Sequence, residues 1–209
     1  MSQVNGYSAK LDPADVRDVR LLLRGLQSEA PKILSRALNK TVTKARTDSS
    51  KAIRGDVRLK AAYVRQRLSV RKANPRNLSA KIMTPSRGLL LSRFSTNSQI
   101  ASPNISWIKA PDEPPRGIRV KVKPNGGTST VSGDRETKGK PFYMALKNGR
   151  VAIAARRRTV GPRGGKIKVF YGPSLSQVFR TLLPELQEPL AEYQEEQVSK
   201  QIDAVLRGY

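Results

Sequence analysis

Three consecutive arginines, Arg156, Arg157 and Arg158, close the segment MALKNGRVAIAARRRTV, which contains no acid. Guanidinium groups at that density bind phosphate oxygens or carboxylates, through charge and a planar fork of donors. Arg163 and Lys166 follow closely. Upstream, VRQRLSVRKANPR carries Arg65, Arg67, Arg71, Lys72 and Arg76, a second row able to face phosphates. The acids gather near the other end. Glu185, Glu188, Glu192, Glu195 and Glu196 recur at helical spacing and form one acidic stripe.

Each feature has more than one reading. The arginine triplet can contact phosphates, a sequence-independent and salt-sensitive interaction. It can equally meet an acidic surface on an adjacent copy, or serve as a charged strand edge that discourages unwanted pairing. Strand side chains alternate, so the three arginines cannot share a single target. The upstream row can be an exposed helix face, but residues 36–93 hold 16 basic side chains and only 2 acidic ones to neutralise them. Aromatic residues, which would stack single-stranded bases, are nearly missing from the upstream row, where VRKANPR has none, and Trp107 lies in a Pro/Ser-rich loop. Duplex contact or structural charge is therefore favoured over single-strand reading.

Other chemistry finds little footing. The chain has no cysteine and no histidine, which removes thiolate sites and the commonest general base and metal ligand. Asp12, Asp15 and Asp18 lie at helical spacing and read as a first-turn charge preference, so no metal site is expected there. PNGG and PRGG are glycine turns that lack the spacing of a phosphate loop. No carboxylate pair is placed for acid–base work. The expectation is a protein without cofactor or metal that is not an enzyme.

The whole chain explains why charge dominates. It has 209 residues, a formal net charge of +24 and an apolar fraction of 37%, against about 45–50% in ordinary globular chains. Self-repulsion of that size favours a polyanion or an acidic partner. Residues 36–93 carry net +14, residues 141–180 net +9, and residues 181–209 net −4. No apolar run is long enough to span a membrane, and MSQVNGYSAKLDPAD does not read as a secretory signal.

The elements that must carry these charges follow from periodicity. A helical part is expected over 13–68, with Asp12 and Pro13 opening the first helix over about 13–28. A second helix over 30–54 shows an apolar stripe from Ile33 to Ala52, and a short one follows, with Gly55 as the stop and Asp56 as the new cap. A β-rich part is expected over 69–172, with strands at 78–84, 117–123, 141–147, 150–156 and 166–172 and long loops at 94–117 and 124–140. Asn148 and Gly149 specify a two-residue hairpin turn, which sets Met144 opposite Ile153 and Phe142 opposite Ala155. Small residues would then dominate the other face, Tyr143, Ala145, Ala152 and Ala154, and suit close approach by a neighbour. An acidic helical arm is expected over 173–209, interrupted at Pro184 and Pro189. Together these make one α+β domain: N-terminal helices packed on a mostly antiparallel sheet with a β-hairpin, and a C-terminal helix.

The order of SRALNKTVTKARTDSSKAI, VRLKAAYVRQRLSVRKANPRNLSAKI, FYMALKNGRVAIAARR and IKVFYGPSLSQVF, closed by a charged helix, resembles the minor tail protein Z family of tailed bacteriophages and prophages, also called tail completion proteins. The resemblance covers roughly residues 20–205. It implies a virion protein made in the host cytoplasm and placed at the head-proximal end of the tail. It further implies a homo-oligomeric ring of six copies, other neck and tail proteins as partners, and double-stranded DNA in the lumen. The competing reading is a free basic protein that binds nucleic-acid phosphates without sequence specificity.

Overall fold

The computed structural model describes residues 3–10, 16–19, 29–97, 100, 116–159 and 166–207. The chain divides into two compact units: residues 1–53, 60–87 and 175–209 form the first, and residues 54–59 and 88–174 the second. Helices and antiparallel sheets are both present, and the fold is α+β as expected.

In the first unit, strand β1 (Gln3–Lys10), helix α1 (Ala30–Asp56), helix α2 (Ala61–Arg67), β2 (Ser69–Arg71), β3 (Ser79–Pro85) and the long helix α3 (Leu175–Leu206) come together. The sheet order is β1-β3-β2, all antiparallel, with Val70 opposite Ile82 and Ala9 opposite Ala80. β1 lies ahead of the expected first element. Its sequence, QVNGYSAK, contains a glycine and a register break between Asn5 and Tyr7, which weakens the period-two signal.

Helix α1 buries Ile33, Leu34, Ala37, Leu38, Thr41, Val42, Ala45 and Ile53, the periodic face read from sequence. It runs through Gly55 to Asp56. The next helix begins after Lys60, which makes no side-chain cap, so Asp56 is not its cap. Residues 16–19 are helical, while most of the expected helix 13–28 lies outside the described residues. Val19, Ala30, Ile33 and Leu34 form a core against which Val16, Leu78, Val198, Ile202 and Val205 pack.

Helix α3 is continuous through Pro184 and Pro189, which corrects the expected interruption. Each proline removes one helical hydrogen bond, leaving the carbonyls of Arg180 and Glu185 without their usual donor. Both prolines and both of those residues are exposed, where water replaces the lost donor.

The second unit holds β4 (Gly88–Leu90), a 3-10 turn (Leu91–Phe94), β5 (Arg119–Val120), β6 (Ser129–Thr130), β7 (Thr137–Ala145), β8 (Val151–Arg157), β9 (Ile167–Val169) and β10 (Tyr171–Ser174). β4 pairs with β10, β5 with β6, and β7-β8-β9 form an antiparallel sheet. The strand expected over 117–123 is only two residues long, although Val120 also bridges Ser95. The strand expected over 166–172 is split between β9 and β10, which pair with different partners. Segment 124–140, expected as a loop, contains β6 and the start of β7. Of the expected loop 94–117, residues 98–99 and 101–115 lie outside the described residues.

Phe94 is fully buried at the centre of this unit. A Cβ on Gly172 would sit 2.6 Å from its ring, so only glycine allows β10 to pass so close. The Ser92 hydroxyl donates to the Val151 carbonyl at 2.7 Å and ties the 3-10 turn to β8. All five residues from Val151 to Ala155 are buried, as befits a central strand covered on both faces.

Candidate functional site

The β7–β8 hairpin forms, but its turn differs from the expected one. The Gly149 amide donates to the Leu146 carbonyl at 2.8 Å, the Leu146 amide donates to the Arg150 carbonyl at 2.7 Å, and Gly149 has φ +74°. No other described residue in the turn has positive φ. This is a type I turn followed by a glycine bulge, which needs one left-handed residue where the two-residue turn needs two. Asn148 contributes its side chain, whose Oδ1 accepts from the Arg150 amide at 3.2 Å.

The extra loop residue moves the register by one. Tyr143 stands opposite Ile153, Met144 opposite Ala152 and Phe142 opposite Ala154. A one-residue slip exchanges faces, so the large apolar groups are split between the two sides of the sheet. Ala152 and Ala154 are fully buried within the chain. They are therefore not a small-residue face waiting for a neighbour.

The arginine triplet meets acids of its own chain. Arg157 Nη1 lies 3.0 Å from Glu136 Oε2, and Lys168 Nζ lies 3.0 Å from the same oxygen and also contacts Asp134 Oδ2. Asp134 and Glu136 are brought there by a tight turn. The Thr137 hydroxyl accepts from the Asp134 amide at 2.7 Å and donates to the Asp134 carbonyl at 3.1 Å, while Asp134 Oδ1 accepts from the Glu136 amide. The hydrogen bond from Lys168 is the main cause that holds both carboxyls below their ordinary range, and the same bonds raise Lys168.

Arg158 donates from Nε to the Thr137 carbonyl at 2.9 Å. Arg156 is exposed and pairs across the ladder with Lys138 and with Ile167. Alternation thus separates the triplet as expected. Arg157 is engaged internally, Arg158 grips backbone, and Arg156 points to the opposite side of the sheet from Arg157. Lys166 is exposed, and its carbonyl accepts from the Arg157 amide; Arg163 lies outside the described residues.

In the first unit, Arg65, Arg71, Lys72 and Arg76 are exposed and Arg67 is half-buried. Arg67 stacks 5.4 Å from the Tyr63 ring centre, and the carbonyl of Arg65 accepts from Arg46 Nη2 at 2.7 Å, which holds the end of α2 against α1. Arg76 sits in a turn organised by Asn74, whose Oδ1 accepts from the amides of Arg76 and Asn77.

Beside this row lies an open cleft of about 730 Å³, lined by Lys40, Lys44, Lys51, Lys72, Tyr193 and Gln197 among others. Sequence reasoning named only Lys72 of its four lysines. The missed signal is the spacing of Lys40, Lys44 and Lys51, which places all three within roughly 40° of arc on one helix. Asn39 sets the position of Lys72: its Nδ2 donates to the Ala73 carbonyl at 3.0 Å and its Oδ1 accepts from the Ala73 amide at 2.8 Å. Lys44 lies 3.0 Å from Asp48 and 5.3 Å from the centre of the Tyr193 ring; the bond to Asp48 is the main cause that raises its pKa.

Glu185, Glu188, Glu192, Glu195 and Glu196 are all exposed on α3. Glu196 contacts Lys200, whereas the other four have no ion-pair partner among the described residues. No group of acids that could hold a metal occurs among the described residues, and no helix there is long and apolar enough to cross a membrane.

The α+β chain carries strongly segregated charge, with exposed cations in the first unit and an exposed acidic stripe on α3. Residues 19–209 match the family model of prophage minor tail protein Z (GPZ), and the chain belongs to that family. It is thus a structural protein of the phage tail. Neither a curated protein nor a solved structure matches it.

Proposed function

We propose that the protein completes the tail at its head-proximal end, joining it to the head as a closed ring of six copies around the channel through which DNA passes. The observation that carries this reading is the separation of charge within a member of a tail-protein family. A stretch of net +14 and an exposed acidic helix occupy different parts of one chain. Opposite charge at two surfaces suits a heterologous contact, which closes into a ring by rotation. Glu185, Glu188, Glu192, Glu195 and Glu196 meet the basic surface of the next copy. Arg65, Arg67, Arg71, Lys72, Arg76, Arg156, Arg163 and Lys166 face that copy or the duplex phosphates, which are bound without base readout.

The test is a phage or prophage deleted for this gene and complemented in trans. Particles without the protein should accumulate as full heads and unjoined tails. Those with it should join and retain a fixed number of copies in the neck, visible by imaging of labelled particles. Normal joining without the protein would end this reading. Tight duplex binding by a monomer, weakening steeply with salt, would instead favour a free nucleic-acid-binding protein.

A further inference from the structure

We infer that the lysine-lined cleft of the first unit is the receptor for the acidic stripe of α3 from a second copy of this chain. This rests on the ring reading and names the two surfaces that would meet. The cleft concentrates four ammonium groups, and its one acid, Asp48, is already paired with Lys44. Lys40, Lys51 and Lys72 have no ion-pair partner among the described residues. Like charges held this close repel, yet the fold devotes both polar ends of Asn39 to fixing the segment that carries Lys72 beside α1. An anionic occupant removes that repulsion.

Length and sign select the occupant. Lysine ammonium groups bind phosphates and carboxylates alike as point charges, whereas guanidinium forks, backbone amides and hydroxyl donors would add the directional contacts of a phosphate site. Here the hydroxyls of Thr43 and Thr47 donate back into α1, at 2.7 and 3.2 Å, and present lone pairs outward. What remains is a row of point charges. Lys40 to Lys51 spans 11 residues, or about 16 Å of helix. Glu185 to Glu196 spans the same 11 residues and the same length, with all five carboxylates within roughly 100° of arc. The row and the stripe therefore match in length, and they are opposite in sign.

The test uses the full-length chain and analytical ultracentrifugation, with melting curves as a check on folding. Lys40→Glu with Lys51→Glu, and separately Glu188→Lys with Glu192→Lys, alter exposed residues only, so each should melt like the wild type. Each pair should raise the concentration needed for assembly by about tenfold or more, because attraction becomes repulsion at two contacts. Combining all four changes in one chain should restore assembly. If both pairs weaken assembly and the combination does not recover, the surfaces do not meet. Wild-type rings indifferent to both pairs would overturn the cleft and leave the ring. A wild-type chain that remains monomeric would overturn the ring itself. If K40E/K51E abolishes retention of a duplex and leaves assembly unchanged, the cleft is a phosphate site and the inference fails.

Discussion

Asn39→Ala separates the anchoring of Lys72 from its charge. Asn39 makes two neutral hydrogen bonds to the backbone of Ala73, at 3.0 and 2.8 Å. Bonds of this kind each contribute a net of about 0.5–1.5 kcal/mol, so losing both costs about 2 kcal/mol. Ala73 is buried, which limits the water available to replace them. Alanine is the better helix former and returns about 0.5 kcal/mol. The net expectation is a loss of about 1.5 kcal/mol. With a urea dependence of about 2 kcal/mol per molar, the unfolding midpoint should fall by about 0.7 M. Circular dichroism in urea measures the midpoint, and hydrogen exchange at the Ala73 amide reports the clamp directly. Lys72→Ala is the matched control and should stay within about 0.5 kcal/mol of the wild type, because its side chain is exposed. A midpoint for Asn39→Ala unchanged within error, with the Ala73 amide still protected, would refute the claim that Asn39 holds this segment.

Two further outcomes follow from the second unit. Gly149→Ala forces a side chain into φ +74° and should destabilise the hairpin by about 1 kcal/mol, whereas Asn148→Gly, which keeps a compatible backbone, should cost less; thermal melts rank the two. The cluster of Asp134, Glu136, Arg157 and Lys168 should make the 134–137 turn pH-sensitive. Its carboxyls are depressed in the folded chain, so their contribution is present above the ordinary carboxylate range and is lost as pH falls through their lowered values. Lys168 is raised, so its contribution is present below the ordinary lysine value and is lost as pH rises through the raised one. Side-chain NMR titration of Glu136 should show the lowered midpoint, and Lys168→Met should move it up towards the ordinary range while Arg157 still holds part of the shift.

How far the fold was legible depended on whether the signal was local. The apolar stripe of α1 is a property of consecutive turns, and helix 30–56 falls within two residues of its expected span. β3 likewise lies one residue from its expected limits, with an alternating burial pattern. The hairpin existed where Asn148-Gly149 indicated, but the turn type depended on how many residues could adopt positive φ. Dipeptide identity alone does not decide that. β1 escaped notice because its strand pairing is with residues about 75 positions away and its own pattern is broken by Gly6. The continuity of α3 through two prolines is also a tertiary outcome: burial of Leu175, Val178, Phe179 and Leu190 on either side of them outweighs two missing hydrogen bonds.

The site shows the same division more sharply. The arginine triplet looked unopposed because charge was counted along the chain, and its acids lie about twenty residues upstream in a segment that reads as loop. Folding brings Asp134 and Glu136 onto Arg157 and Lys168, so two of the nine cations in residues 141–180 are neutralised at home. Residues 36–93 receive less relief. Two acids accompany their 16 basic residues, and one of these, Asp48, is paired within its own helix turn to Lys44. Charge count ranked the two blocks as alike, but geometry makes them different. The second block turns Arg157 and Lys168 onto nearby acids, and the first keeps Lys40, Lys51 and Lys72 at a cleft with no ion-pair partner among the described residues. A search for the partner of this protein therefore belongs at α1, where the triplet first drew attention away from it.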